Sequence, residues 1–286
     1  ADRPGEEIAA DMAKACRDLI DAEHVDISEI EAVGIASPGI ANHDTGVIEY
    51  ANNLPFRKFP LADLVRKDFP VAKINVENDA NAAAWGEAVA GAAKGTKNSV
   101  MITLGTGVGG GIIIDNKVYS GFNYAGAELG HIVICAGGKS CSCGRHGCWE
   151  AYSSATALTK MTEDKINACV RSGRKTLMKD IADERGKVSA RTAYDAQRRG
   201  DFAATEVINE YLHYLAIGLT NIINIFQPEV LSIGGGVSNE KDNLLEPLIP
   251  LIREEQYGTG LVCNTDIRIA ELGNDAGILG AATLGL

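Results

Sequence analysis

No apolar run in this 286-residue chain approaches the ~18 residues that a membrane-crossing helix requires, and no secretory leader is visible. Basic charge is also in deficit. Against 38 Asp and Glu stand 27 Lys and Arg, a formal net charge of −11, where a nucleic-acid partner would select a basic face. Short-period repeats and low-complexity tracts are absent too. Four of the seven cysteines (Cys16, Cys135, Cys169 and Cys263) are scattered singly, as in a reducing compartment, and imply no disulfide framework. What remains is a globular protein expected in the cytoplasm, without membrane or nucleic-acid partner. It is 45% hydrophobic and 23% charged, of a length at which one core tends to split into two.

The other three cysteines stand together in Cys141-Ser-Cys143-Gly-Arg-His-Gly-Cys148-Trp-Glu150, ten residues after His131. Three thiols this close can wrap a single ion, and His131 completes the Cys3His set that suits structural zinc. Gly144 and Gly147 allow so short a loop the backbone angles it needs. Rival readings are a disulfide pair with a spare thiol, buried unpartnered cysteines, or His146 as ligand in place of His131.

Strands and helices alternate, as in an α/β fold. A first helix follows Pro4, with Ile8, Met12, Cys16, Leu19 and Ile20 on its apolar stripe. Strands are predicted at 32–36, 71–76, 99–104, 111–114, 230–233 and 267–270. Helices are predicted at 78–90, through much of 155–201, along a stripe from Val207 to Phe226 that Pro228 ends, and from about Asp275. Arg198 and Arg199 read as a solvated face. The expected organisation is a small α/β lobe over 1–94, to which the helix 275–286 returns, and a large lobe over 95–274 with the metal motif. Gly91 to Gly95 is the hinge candidate.

Three further segments can carry chemistry. Gly105-Thr-Gly-Val-Gly-Gly-Gly111, between two strands, offers unobstructed backbone N–H groups and a hydroxyl for phosphate oxygens. It fits neither a P-loop nor a Rossmann fingerprint, and it also reads as a glycine-rich hairpin without ligand. Gly234-Gly-Gly236 allows a flat or anionic ligand close approach, or is a tight turn. In Glu77-Asn78-Asp79-Ala80-Asn81, Asp79 is either a helix N-cap or a carboxylate aimed at a substrate hydroxyl from a strand's carboxyl end. Glu128 and Glu150 flank the metal motif. They read as paired carboxylates for sugar hydroxyls, as support for His131, or as surface charge.

Taken together these segments resemble the ROK family of bacterial sugar kinases and repressors, and its glucokinase branch most closely. The resemblance runs through Ser37-Pro38-Gly39, Asn53-Leu-Pro55, Glu77 to Asn81, Leu104 to Gly110, Glu128-Leu-Gly-His131, Cys141 to Glu150 and Ile233 to Val237. It implies an actin-like, hexokinase-like (ribonuclease H-like) α/β fold of two lobes that close over sugar and ATP. It implies Asp79 as general base, and Asn53, Asn78, Glu128, His131 and Glu150 as sugar ligands. It also implies ATP phosphates at Gly105, Thr106, Gly107, Val108, Gly109 and Gly110, and the nucleoside at Gly234, Gly235 and Gly236. Zinc on His131, Cys141, Cys143 and Cys148 would be structural, and Mg²⁺ would arrive with ATP.

The expected activity is phosphorylation of a hexose, glucose foremost, by a homo-oligomer (dimer or tetramer). Alternatives are a family kinase for N-acetylmannosamine, fructose or allose, and a sugar-responsive repressor. Family members begin with an Asp-x-Gly-Gly-Thr phosphate loop that is not seen here, so roughly 25–30 residues are expected before Ala1.

Overall fold

The computed structural model describes residues 3–71 and 73–284. They divide into two compact units. The first comprises Ala1–Met101, Gly111–Ala127 and Glu271–Leu286, and the second Ile102–Gly110 and Glu128–Ala270.

The first unit begins with helix α1 (Gly5–Ala22). Its stripe of Ile8, Met12, Cys16 and Ile20 packs on a core of Phe56, Phe59, Leu61, Val65 and Phe69. Strands β1 (Val33–Ser37), β2 (Ile40–Asn42), β3 (Val47–Tyr50) and β4 (Arg57–Phe59) follow, then helix α2 (Leu61–Asp68), strand β5 (Ile74–Asn78) and helix α3 (Asp79–Ala90). The antiparallel sheet runs β2-β3-β4, while β1 pairs in parallel with β5 from Val33↔Ile74 to Ser37↔Asn78. That register sets Ser37-Pro38-Gly39 beside the carboxyl end of β5, where open α/β sheets place their sites. The strand predicted at 71–76 begins at Ile74. Pro70 brings no N–H to a ladder, and the Val71 N–H bonds locally to the Phe69 carbonyl.

Strands β6 (Ser99–Leu104), β7 (Val108–Ile114) and β8 (Lys117–Val118) come next. Helices α4 (Glu150–Ser153), α5 (Ala155–Arg171), α6 (Leu177–Arg185), α7 (Ala190–Arg198) and α8 (Phe202–Phe226) lie in the second unit, followed by β9 (Val230–Gly234), α9 (Asp242–Glu255) and β10 (Asp266–Ile269). The sheet order is β10-β9-β6-β7-β8. The glycine segment read as a loop is half strand. Its turn is only residues 105–107, closed by Gly105 N–H to the Gly107 carbonyl.

Helix α8 ends at Phe226 because Gln227 turns left-handed (φ 43°) and Pro228 cannot continue a helix. On its inner side Gly218 faces Trp149, where an added Cβ would lie 2.0 Å from the indole. Trp149, itself fully buried, donates its indole N–H to the Tyr214 carbonyl at 3.1 Å. That contact seats the start of α4 and the cysteine loop before it. Arg198 and Arg199 are exposed, in line with the solvated face read from the sequence, and Arg198 is also ion-paired with Asp195 and Glu240.

The last helix, α10 (Asp275–Thr283), packs on α3 in the first unit. Close approach needs small residues. A Cβ at Gly86 would meet the Ala276 carbonyl oxygen at 2.2 Å, and one at Gly280 the Ala82 carbonyl oxygen at 1.7 Å. No helix among the described residues is long and apolar enough to cross a membrane.

Candidate functional site

The sulfur cluster comes from a loop that folds on itself. Ile132 accepts the Trp149 N–H at 2.8 Å, and short antiparallel bridges pair Val133 with Cys148 and Ser140 with His146. Gly144 and Gly147 take positive φ (85° and 82°), which non-glycine side chains resist. His131 and the Cys141, Cys143 and Cys148 sulfurs thereby offer ligand atoms within 4.8 Å of one another. His131 Nδ1 lies 3.7 Å from Cys141 Sγ, and Cys143 Sγ 3.7 Å from Cys148 Sγ. Thiolates about 2.3 Å from one zinc ion at tetrahedral angles stand about 3.7–3.8 Å apart, so the spacing suits that metal.

All seven cysteines are free, and 3.7 Å is far beyond a sulfur–sulfur bond of about 2.05 Å, so the disulfide reading fails. His146 is exposed and outside the cluster, so that alternative fails as well. The Arg145 backbone N–H pulls the Cys143 thiol below its ordinary pKa, whereas burial pushes Cys148 up to about 12. A metal that binds there must displace that proton.

Glu150 opens α4 directly after the loop. Its Oε2 accepts the Val108 N–H at 3.1 Å, while Oε1 accepts the Ser142 hydroxyl at 3.2 Å and lies 3.7 Å from Cys141 Sγ. This carboxylate therefore joins the glycine hairpin to the thiol loop. Gly107 leaves room for this carboxylate: a Cβ there would stand 2.3 Å from Glu150 Oε2 and displace it from the Val108 N–H. One N–H of the expected phosphate cradle, that of Val108, is thus engaged by a carboxylate. The rest of the turn is buttressed from α5: Ala155 N–H donates to the Gly105 carbonyl and Thr156 Oγ1 to that of Thr106, both at 2.8 Å.

Glu128 is exposed, and its carboxylate makes no hydrogen bond among the described residues. Its carbonyl accepts the His131 N–H at 3.0 Å, which sets it one short turn from the cluster. His131 turns Nδ1 toward the thiols and so leaves Nε2 for another partner. Gly234 ends β9. Gly235 is left-handed (φ 85°) against the Leu104 backbone, and Gly236 has open space where a side chain would be.

In the first unit Asn78 ends β5 and caps α3. Its Oδ1 accepts the Ala80 and Asn81 N–H groups at 2.9 and 3.1 Å, and its Nδ2 donates to the Gly39 carbonyl at 3.0 Å. Asp79, read as either the helix cap or a free carboxylate, is not the cap but the first helical residue, exposed, with only Oδ1 turned back on the Ala80 N–H. Asn53 is exposed in the turn after β3, where its Oδ1 accepts from Asn52. Motif reading passes over three partners: Ser142, Glu77 beneath Asn78, and His43. Only Glu77 carried a signal, as an acidic residue next to the carboxyl end of a strand.

The family model described as "ROK family" matches residues 1–286. The glucokinase of Halalkalibacterium halodurans is 37% identical over 97% of this chain and 82% of its own. The xylose repressor of Bacillus spizizenii is 30% identical over 88% of this chain but 60% of its own. A solved ROK glucokinase of Streptomyces griseus, in complex with glucose and AMPPNP, superposes with a TM-score of 0.79 at 34% identity. It covers 96% of this chain and 87% of that one.

Proposed function

Because this chain belongs to the ROK family, we propose that it transfers the γ-phosphoryl group of ATP to a hexose, with glucose as acceptor and glucose 6-phosphate as product. The observation that carries this reading is the division of labour at the end of β5. Asn78 satisfies the helix N-terminus, so the Asp79 carboxylate is left exposed at the position suited to a general base.

In that role Asp79 accepts the proton of the sugar hydroxyl. The sugar oxygen bonds to the γ-phosphorus while the bond from that phosphorus to the β,γ-bridging oxygen breaks, and ADP leaves with its electron pair. Asn53, Asn78, Glu128, His131 and Glu150 are assigned to sugar hydroxyls. For His131 the free ring nitrogen is Nε2. The turn at Gly105, Thr106 and Gly107, with Gly109 and Gly110, is assigned to phosphates, and Gly234 to Gly236 to the nucleoside. Mg²⁺ bound with ATP would offset charge on the phosphoryl oxygens.

Zinc on His131, Cys141, Cys143 and Cys148 would be structural, since four protein ligands leave no position for water. Its part would be to hold Glu150 and His131 in place. A cytoplasmic setting and a homo-oligomeric state belong to the same proposal.

The test is ADP release by the full-length protein with ATP and a panel of glucose, N-acetylmannosamine, fructose and allose. Glucose should give the highest kcat/KM. Sugar binding by calorimetry without phosphorylation of any hexose would overturn the reading in favour of a sugar-responsive regulator. Preference for another panel member would move the substrate only.

A further inference from the structure

Glu77 is a buried carboxylate, 3% exposed, one residue before Asn78 and two before Asp79. An ionised carboxylate only accepts hydrogen bonds, so each oxygen needs a donor once water is excluded. Oε1 has two: the Asn78 backbone N–H at 2.8 Å and Asn81 Nδ2 at 3.1 Å. Asn81 is buried too, and its Oδ1 has no partner among the described residues. The amide is thus committed as a donor to Glu77, with nothing gained at its other end. Among the described residues Oε2 has one neighbour of donor type, His43 Nδ1 at 3.2 Å, presented from the turn after β2.

His43 is itself held. Its ring stands edge-on to Tyr124, with centroids 4.9 Å apart and planes at 81°. Nε2 lies 3.7 Å from Asp44 Oδ1, and the Tyr124 hydroxyl donates to Asp44 Oδ2 at 2.6 Å. This chain of contacts runs from an exposed turn through the buried carboxylate to the backbone of Asn78, the residue whose side chain caps the helix that Asp79 begins.

We propose that His43 and Glu77 form a positioning pair for the Asn78–Asp79 turn. Nδ1–H of His43 fixes Glu77, and Glu77 fixes the Asn78 N–H, the rotation of the first helical turn and so the direction of the Asp79 carboxylate. The proposal rests on Asp79 as the base, but neither His43 nor Glu77 touches a reactant. Without the His43 donor, Oε2 is left buried and unmet. Glu77 then has reason to rotate toward water and release Asn78.

The test compares two variants. His43→Phe keeps a flat ring against Tyr124 but has no donor. His43→Asn carries an amide nitrogen close to where Nδ1 stands. His43→Phe should lose about tenfold to a hundredfold in kcat, the scale of an ångström-sized misplacement, with KM for sugar and ATP changed by less than about threefold. His43→Asn should recover most of that loss. Both should melt within a few degrees of the parent, since the His43 side chain is 40% exposed and either replacement can keep contact with Tyr124.

Equal kcat in His43→Phe and the parent, or equal losses in both variants, would overturn the pair. Asp79→Asn, assayed in parallel, separates this outcome from failure of the base. An inactive Asp79→Asn beside a fully active His43→Phe removes the pair alone, whereas an active Asp79→Asn removes the assignment on which the pair rests.

Discussion

Glu87 Oε1 accepts the backbone N–H of Leu272, 185 positions further along the chain, at 2.8 Å. Its other oxygen accepts the N–H groups of Ala92 at 2.7 Å and Glu271 at 3.1 Å, and the residue has no exposed surface. One carboxylate thus ties the end of α3 to the segment that leads into α10. Gly91 is glycine because a Cβ there would stand 2.1 Å from this carboxylate. Glu87→Gln would turn an NH₂ group toward N–H donors and leave at least one buried donor unmet. Urea titration should register a loss of roughly 2–3 kcal/mol. A change below about 0.5 kcal/mol would mean that the helix contacts alone hold the segment.

Asp79→Asn preserves size and leaves the Asn78 cap intact. It should lower kcat by about 10²–10⁴-fold with little change in melting temperature and a small change in sugar affinity. Retention of more than about a tenth of the parent kcat would withdraw the base assignment.

Elemental analysis of protein purified without chelator should find about one zinc ion per chain. Cys143→Ser should release it and lower the melting temperature together with sugar affinity, because the loop seats Glu150 and His131. Protein free of zinc, with unaltered stability in the variant, would contradict the metal centre.

Asp201 caps α8 through the Ala204 N–H at 2.9 Å and reaches the start of α6 through Thr176 Oγ1 at 2.8 Å. Burial disfavours its charge, yet these donors outweigh burial and hold its pKa below the ordinary 3.8. With the folded value below the unfolded one, its contribution to stability is complete above the unfolded value. It is lost as pH falls through the lowered folded value. Asp201→Asn keeps an acceptor but not the charge. Relative to the parent it should flatten the fall in stability below about pH 4. Parallel stability curves for the two proteins across that range would exclude Asp201 as a contributor.

Much of this molecule was legible as sequence because the deciding chemistry is local. The end of α8 follows from Pro228 alone. The tight cysteine loop follows from three thiols and two glycines within eight residues, although only the 3.7 Å separation of Cys143 and Cys148 sets the disulfide reading aside. The glycine hairpin lay between two apolar runs whose β-propensity needed no distant partner. The strand at 71–76 was displaced because an apolar run shows where burial occurs, whereas its start depends on where β1 offers a ladder.

The choice of Asn78 over Asp79 as cap was closed to pattern reasoning, since both residue types cap well and only the chain's path at Gly39 prefers one. The Glu150 contact with the Val108 N–H, the His43–Glu77 pair and the Glu87 anchor were closed to it for a stronger reason. A carboxylate's partner is settled by which donors lose water beside it, and that is a property of packing across distant segments. Residue pattern carries the longer elements and the residue types equipped for chemistry, but not the short strands β2, β3, β4 and β8 or the helices α2 and α9; packing settles which polar groups are buried together, and burial makes their hydrogen bonds obligatory.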